Sequence, residues 1–130
     1  MRVISGKFKG KKLLQPQDKE TRPLKDLTKE SIFNIINHSN QFSIDIKKAQ
    51  VLDLFSGVGS FGIECLSQGA GHVTFIEKYA GVLPILKKNL DNLKSEINYE
   101  IIESDILSNF EFKSLKLRYD IIFLDPPYRE

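Results

Sequence analysis

The residues with the clearest chemical potential stand at the end of the chain, where Asp125-Pro126-Pro127-Tyr128 follows the apolar run 121–124. At the end of a buried strand, this loop would combine two hydrogen-bond acceptors with a flat aromatic surface. The Asp125 carboxylate and the Pro126 carbonyl could accept both N–H bonds of a planar substrate's NH₂ group. Tyr128 could stack on the ring of that substrate. The alternative is a strand that ends in a simple Pro-Pro turn, because prolines commonly end strands.

A second candidate site is the glycine-rich turn 56–62 near the middle of the chain. Its spacing Gly57-x-Gly59-x-x-Gly62, followed about 20 residues later by Glu77, matches the dinucleotide-binding fingerprint. The glycines would let a ligand approach the backbone, and a carboxylate at the end of the next strand can accept both hydroxyls of an adenosine ribose. Taken alone, this pattern favours NAD as the ligand.

Three other features favour S-adenosylmethionine over NAD. Asp53, near the end of the first predicted strand, would repel a pyrophosphate but attract the cationic amino and sulfonium groups of a methionine moiety. Asp105, just after the third strand, is placed to accept from an adenine NH₂, although a helix cap is an open alternative. The loop 125–128 adds a substrate site beside the fourth strand, which a dehydrogenase would not need.

Hydrophobic periodicity predicts the elements that would position these residues. Strands are expected at 51–55, 72–76, 99–102 and 121–124, and helices at about 24–38, 61–68 and 81–94. The segment 106–117 is ambiguous, and a short helix is one interpretation of it. Strands that alternate with helices call for a parallel sheet, and ligands of such sheets bind at the carboxyl ends of the strands.

Basic residues are concentrated at the amino terminus. Residues 1–30 contain nine Lys or Arg against four Asp or Glu, whereas the remaining residues are net acidic. Gly6 and Gly10 indicate bends between short strands, so we predict a basic hairpin that contacts nucleic-acid phosphates. The alternative is a solvated charged edge that deters strand pairing. Its cations are Arg2, Lys7, Lys9, Lys11 and Lys12.

Length and composition are those of a single globular domain, with 130 residues, 41% hydrophobic and 28% charged. No apolar run approaches the ~20 residues of a membrane span. The amino terminus lacks the apolar segment of a signal peptide, so we expect a cytoplasmic protein. With one cysteine, Cys65, and only His38 and His72, the sequence predicts no intramolecular disulfide and no metal site.

Together these motifs resemble the Rossmann-like S-adenosylmethionine-dependent methyltransferases, and within them the RsmD-like enzymes, which methylate guanine N2 in small-subunit (16S) ribosomal RNA. The resemblance covers nearly the whole chain. The glycine loop and the final motif are shared with many methyltransferases. The narrower match is carried by the opening RVISGKFKGKKL at 2–13 and by Thr21-Arg22-Pro23 leading into KESIFN at 29–34.

The resemblance implies a parallel α/β sheet with helices on both faces, a basic hairpin extension at 1–20 and a methyltransferase domain at 21–130. It implies in-line methyl transfer without a metal, with Asp125, Pro126, Pro127 and Tyr128 as the catalytic residues. Cofactor contacts are implied for Asp53, Phe55, Ser56, Gly57, Gly59, Glu77 and Asp105. Contacts to ribosomal RNA, or to an assembly intermediate of the small subunit, are implied for Arg2, Lys7, Lys9, Lys11, Lys12 and Arg22.

The sequence departs from this family in its number of strands. The resemblance implies a seven-stranded sheet, but only four parallel strands can be predicted from this sequence. The carboxyl-terminal half of the sheet is therefore missing here. The fourth strand would have an apolar edge, which folded proteins normally cover. Either the chain is a fragment, or a partner or second copy covers that edge, or the protein binds the cofactor without turnover. Two other functions stay open. One is an adenine-N6 DNA methyltransferase, whose motif also ends Pro-Pro-Tyr, and the other is a catalytically silent module that binds the cofactor or RNA.

Overall fold

The computed structural model describes residues 1–16, 26–38, 45–95, 97–105 and 118–126. The first strand differs from its predicted range at both ends, by one and two residues, and each of the other strands differs by one residue at its carboxyl end. The segment 106–117 lies outside the described residues, as does position 20, the predicted boundary between hairpin and domain. The elements are α1 Asp26–His38, β1 Gln50–Asp53, α2 Ser60–Ser67, β2 His72–Glu77, α3 Leu83–Asp91, β3 Tyr99–Glu103 and β4 Ile121–Phe123.

The four strands form one sheet in the order β3-β2-β1-β4, and all of their pairings are parallel. The predicted α/β architecture is therefore confirmed. The chain moves in one direction from β1 to β3 and then returns to place β4 on the other side of β1. The carboxyl ends of β1 and β4 thus flank the point where the strand order reverses, which is where open α/β sheets bind their ligands.

Alternating strand residues build a core on each face of the sheet. On one face, Val51, Val73 and Phe75 pack with α2 and α3 in the larger hydrophobic cluster. The opposite face carries a smaller cluster centred on Leu52 and Ile76, both almost fully buried. The three described helices all contribute to the larger cluster, and the short helix that is one interpretation of 106–117 lies outside the described residues.

Three aromatic rings join α1, α2 and β4 across this larger cluster. The Phe33 and Phe61 ring centroids are 5.1 Å apart, and those of Phe61 and Phe123 are 3.9 Å apart with nearly parallel planes. Phe61 is 3% exposed. Truncation of a buried phenylalanine of this kind typically costs about 3–5 kcal/mol, because the transfer free energy is lost and a cavity is left.

Proline and glycine positions explain how α2 and α3 begin and pack. Pro84 lies in the first turn of α3, where the backbone N–H groups have no intrahelical partner and its missing donor is not needed. The helix begins at Leu83, two residues after its predicted start near Gly81. Gly62 of α2 lies directly against Phe75, so that any side chain there would clash with the Phe75 ring. The helix can therefore approach the sheet closely.

The basic amino-terminal segment folds back on itself as predicted, but with a single antiparallel bridge, between Arg2 and Lys12. The Val3 N–H donates to the Lys11 carbonyl at 2.9 Å, and the Leu13 N–H donates to the Met1 carbonyl at 3.1 Å. Val3 and Leu13 are 1% and 5% exposed and belong to the larger cluster. Val3 and Leu13 are thus part of the core, while the cations of residues 1–16 are exposed.

The β4 side of the sheet leaves apolar side chains exposed in the described part of the chain. Ile122 and Leu124 are 60% and 61% exposed. Their exposure matches the predicted apolar edge, and what covers that edge stays a prediction. No described helix is long and apolar enough to span a membrane.

Candidate cofactor site and catalytic edge

Asp53 is the most unusual residue of the carboxyl edge of the sheet. It ends β1 with 1% exposure, and neither carboxylate oxygen has a hydrogen-bond partner among the described residues. The Gly62 backbone N–H faces the carboxylate but does not complete a hydrogen bond. Burial raises the pKa of Asp53 to about 8, against the effect of that N–H and with smaller contributions from the Glu77 and Asp125 charges. A buried acceptor without a donor indicates a site for a donor-bearing ligand.

Glu77 ends β2 and organises the glycine loop through hydrogen bonds to the backbone. Its Oε1 accepts the Gly57 N–H at 2.7 Å, and its Oε2 accepts the Lys78 and Tyr79 N–H groups at 3.0 and 3.1 Å. A carboxylate has about four lone-pair positions, so acceptor capacity remains on Oε1. This geometry is compatible with the predicted ribose contact and adds a second role, because Glu77 also fixes the position of Gly57.

The three glycines of the loop have different surroundings, although their spacing suggested one shared role. Gly57 has a φ of +54°, and a side chain at this position would meet no atom within 4 Å. Gly59 has a φ of +94°, and a Cβ there would lie 2.6 Å from Leu86 Cδ1. Gly59 and Gly62 thus serve helix packing, whereas Gly57 leaves open space at the edge where a ligand could approach the backbone.

The two residues before Gly57 face different parts of the structure. Ser56 is 7% exposed, and its hydroxyl has no hydrogen-bond partner in the described part of the chain, which makes it a second buried polar group available to a ligand. Its N–H donates to the Ile76 carbonyl at 3.1 Å, which anchors the loop to β2. Phe55 packs against the smaller hydrophobic cluster. Its predicted contact with the cofactor therefore has no support beyond its place in the loop.

Asp105 follows β3 and forms an ion pair with Lys78, at 3.8 Å between Nζ and Oδ2. The Lys78 ammonium also lies 5.2 Å from the centre of the Tyr79 ring. Asp105 is connected to the site through β3, because the Ser104 N–H donates to the Glu77 carbonyl at 3.2 Å. The described residues thus place Asp105 near Glu77, and the alternative helix cap concerns residues outside the described ranges.

The predicted catalytic loop is described only as far as Asp125 and Pro126, which are both exposed. The Leu54 N–H donates to the Phe123 carbonyl at 3.1 Å, which ties the end of β4 to the residue after Asp53. Asp125 lies close enough to raise the pKa of Asp53 by its charge. The predicted roles of Pro127, Tyr128 and Arg22 fall on residues outside the described ranges.

The five cations of residues 1–16 are all exposed, as a contact with nucleic acid requires. Arg2 and Lys12 are cross-strand neighbours in the antiparallel bridge. The Lys7 ammonium donates to Ser95 Oγ at 2.6 Å and lies 5.5 Å from the centre of the Phe8 ring. The exposed set comprises Arg2, Lys7, Lys9, Lys11 and Lys12.

Sequence reasoning missed a buried polar network below this segment. The structure buries Lys29 of α1 fully, 3.3 Å from the equally buried Glu64 of α2. Its ammonium donates to the Arg2 carbonyl at 2.7 Å and to Ser60 Oγ at 3.0 Å. Glu64 accepts the N–H groups of Ile4 and Ser5 at 2.8 and 3.0 Å. The available signal was one acid within the apolar run of α2.

Desolvation is the dominant influence on this lysine. Burial lowers the pKa of Lys29, while the charge of Glu64, its hydrogen bond and the charge of Asp26 raise it. The ammonium thus depends on Glu64, the Arg2 carbonyl and the Ser60 hydroxyl to remain charged inside the protein.

In the described part of the chain, no group of His, Cys, Asp and Glu side chains is placed to hold a metal ion.

Known proteins resemble this chain over almost its full length. The model of the family described as "Conserved hypothetical protein 95" matches residues 1–130. The proteins named Ribosomal RNA small subunit methyltransferase D from Haemophilus influenzae and from Escherichia coli K12 are each 36% identical over 129 residues. These alignments cover 98% and 99% of this chain, and 64% and 61% of the two relatives.

Solved structures show the same relationship. The structure of yhhF from Escherichia coli is 35% identical with a TM-score of 0.79, and HI0767 from Haemophilus influenzae is 34% identical with a TM-score of 0.67. The matches cover 99% and 98% of this chain, and 65% and 64% of those chains. The chain therefore spans less than two thirds of the length of these relatives.

Proposed function

The chain belongs to the family of conserved hypothetical protein 95, which confirms the resemblance indicated by its motifs, and we propose that it carries the cofactor site and catalytic loop of an S-adenosylmethionine-dependent methyltransferase of ribosomal RNA. The target that we propose is the exocyclic N2 of a guanine in the small-subunit RNA. Relatives named Ribosomal RNA small subunit methyltransferase D support the RNA class. The chemistry of the catalytic loop supports an NH₂ group as the acceptor.

The observation that carries this proposal is the buried carboxylate of Asp53, which has no hydrogen-bond partner among the residues that the structure describes. An ionised carboxylate in this position requires a cationic or strongly donating partner, because burial without one is unfavourable. S-adenosylmethionine offers an ammonium and a sulfonium. The pyrophosphate of NAD would add negative charge beside Asp53, Glu77 and Asp125, so the carboxylates disfavour the dinucleotide that the glycine spacing alone suggested.

The neighbouring groups suit the remainder of the same ligand. Gly57 leaves room for a ligand against the backbone, and the free hydroxyl of Ser56 is buried beside it. Glu77 retains acceptor capacity for the hydroxyls of a ribose. Asp105, one strand further along the sheet, lies on the side where an adenine would follow. We propose that these residues, together with Asp53, hold the cofactor.

Asp125 and Pro126 are proposed to orient the substrate nitrogen beside that site. The bound cofactor supplies a methyl group that its sulfonium already activates. The Asp125 carboxylate and the Pro126 carbonyl would accept the two N–H bonds and direct the nitrogen lone pair toward the methyl carbon. Tyr128 would stack on a guanine turned out of its RNA strand. Most of the acceleration would come from this orientation of the reactants.

The amino-terminal cations are proposed to bind the RNA backbone. Like charges directly opposite each other destabilise an antiparallel pair, yet Arg2 and Lys12 occupy such positions. A phosphate between them would relieve the repulsion. The Lys7, Lys9 and Lys11 side chains are also exposed, and together these cations could bind a phosphate backbone without reading its sequence.

A transfer assay with isotopically labelled methyl donor tests the proposal. The chain is incubated with unmodified 16S RNA, small subunits lacking the modification, or DNA, and the methylated nucleoside is identified by mass spectrometry. N2-methylguanosine from the RNA substrates is the expected product. N6-methyladenine in DNA would favour the adenine methyltransferase instead. Cofactor binding without any product would favour a catalytically silent module.

A further inference from the structure

Asn89 joins three parts of the structure that are far apart in sequence. This residue of α3 is 1% exposed. Its Oδ1 accepts the Leu14 N–H at 2.8 Å, and its Nδ2 donates to the Leu14 carbonyl at 3.2 Å. The same Nδ2 donates its other hydrogen to the Val58 carbonyl at 3.0 Å. One side chain thus satisfies both backbone groups of Leu14 and one backbone group of the glycine loop.

The position of Val58 gives this junction its importance. Val58 lies between Gly57 and Gly59, which both adopt left-handed conformations. Glycine adopts positive and negative φ values with similar ease, so it does not itself fix a left-handed conformation. The loop therefore needs contacts with other residues to keep one conformation. Glu77 holds the Gly57 N–H on one side of the loop, and Asn89 holds the Val58 carbonyl on the other.

Leu14 links the same junction to the proposed RNA-binding segment. It follows Leu13, which is buried in the core, and Lys12, which bridges Arg2. Movement of the segment away from α3 would break both bonds between Leu14 and Asn89. Asn89 Nδ2 would then lose its bond to the Leu14 carbonyl, and the same Nδ2 group donates to the Val58 carbonyl of the glycine loop.

We propose that Asn89 is a positioning residue that couples the cofactor loop to the amino-terminal basic segment, so that cofactor binding stabilises the segment and RNA binding strengthens cofactor binding. This inference rests on the proposed function, because it gives that function's two binding surfaces a physical connection. Thermodynamic linkage requires the coupling to be reciprocal, so the same factor applies in both directions.

Hydrogen exchange in the unmodified chain tests the first half of this inference. The Leu14 amide reports the junction directly, because it donates to Asn89. Saturation with S-adenosylhomocysteine should slow its exchange about fivefold or more, the lower range of usual coupling factors. The Lys48 amide, which donates to the Gly69 carbonyl near the opposite edge of the sheet, serves as the control for global stabilisation. Slowing at Leu14 that does not exceed slowing at Lys48 would overturn the coupling.

Substitution tests the role of Asn89 itself. Asn89→Leu has nearly the same volume but removes all three hydrogen bonds. It should weaken S-adenosylhomocysteine binding about tenfold, and the ratio of RNA Kd values without and with this ligand should fall toward one. Leu93→Ala, two residues beyond the end of α3 in the same core, is the control for lost stability. Equal loss of ligand affinity in both variants would make Asn89 merely structural.

The outcomes separate this inference from the function on which it rests. Failure of the unmodified chain to bind S-adenosylhomocysteine would overturn both. Normal ligand binding with no extra protection at Leu14, or with an unchanged RNA ratio in Asn89→Leu, would overturn the coupling alone. If Asn89→Leu does not fold, the exchange experiment on the unmodified chain still decides.

Discussion

Lys29 and Glu64 form an ion pair of 3.3 Å in which neither side chain is exposed to solvent. The pair holds the amino-terminal segment against α1 and α2, because Lys29 bonds the Arg2 carbonyl and Glu64 bonds the Ile4 and Ser5 N–H groups. The buried charges of Lys29 and Glu64 thus hold the backbone of the segment in place, whereas the cationic side chains of residues 1–16 are exposed to solvent.

Removal of one partner of this pair should be strongly destabilising. Lys29→Met would leave the Glu64 charge buried without its counter-ion, and we expect a loss of about 3–5 kcal/mol in the free energy of unfolding. Lys87 and Glu103 form an exposed pair of 3.2 Å that provides the matched control. Lys87→Met should cost less than about 1 kcal/mol. Urea denaturation measures both, and similar losses would contradict the buried role of Lys29.

Asp53→Asn should stabilise the chain without ligand and weaken cofactor binding. Folding raises the pKa of Asp53 to about 8, so the folded state binds this proton more tightly than the unfolded state. The Asp53 contribution to stability therefore falls as pH rises from about 4, its unfolded pKa, to about 8, and is constant above. The melting temperature of Asp53→Asn should exceed that of the unmodified chain by an amount that grows over this range. A constant difference would contradict the shifted pKa.

The same carboxylate should make cofactor binding release a proton. Below pH 8 the free site is mainly protonated, and contact with an ammonium favours ionised Asp53. Calorimetric titration with S-adenosylhomocysteine in buffers of different ionisation enthalpy should detect proton release in the unmodified chain and less of it in Asp53→Asn. Identical enthalpies across all buffers would show that Asp53 does not titrate with binding.

Glu77 should be required both for binding of the cofactor and for the conformation of the glycine loop. S-adenosylhomocysteine at a concentration about 100-fold above its Kd should stabilise the fold by about 2.7 kcal/mol, and NAD should not. Glu77→Ala should abolish most of this shift, because it removes the ribose acceptor and the bond to Gly57. Glu103→Gln, at the end of the neighbouring strand, should retain it. Stabilisation by NAD alone would overturn the assignment of the cofactor.

Asp125→Ala should separate chemistry from cofactor binding. The side chain is exposed at the end of β4 and is assigned to the substrate nitrogen, so turnover should fall about 100-fold or more while S-adenosylhomocysteine affinity changes little. Asp91→Asn, an exposed acid on α3, controls for the change in net charge. Parallel loss of affinity and turnover would place Asp125 in the cofactor site.

Substitution of Lys7, Lys9, Lys11 and Lys12 by Gln should weaken RNA binding at all sequences. Each lost phosphate contact should flatten the plot of log affinity against log salt by about 0.7–0.9. The same change at Lys47, Lys48, Lys87 and Lys88 is the matched control. Fluorescence anisotropy at several salt concentrations measures both slopes, and equal slopes would make the amino-terminal lysines a solvated edge. Cofactor affinity should survive, because these side chains are exposed.

The sheet could be predicted from the sequence because each strand is marked by a run of neighbouring residues. Apolar runs marked all four strands, and the spacing from Gly57 to Glu77 placed both at one edge, where Glu77 bonds the Gly57 N–H. The buried network escaped prediction because it is long-range. Lys29 and Glu64 are far apart in the chain, and the periodicity of α1 gave no reason to bury a lysine. Asn89 likewise carries no local signal, since its partners Leu14 and Val58 come from distant segments.

The stacking of Phe61 on Phe123 also has a consequence for the order of assembly. β1 and β2 are joined through α2 by a short connection, whereas β4 reaches β1 only after most of the chain has been made. Closing the longer loop costs more chain entropy, and β4 contributes only three residues of pairing. The glycine loop can therefore form early in folding, whereas Asp125 should reach its place beside Asp53 only when Phe123 docks on Phe61. On a translating ribosome, the proposed cofactor site would then form before the proposed catalytic loop does.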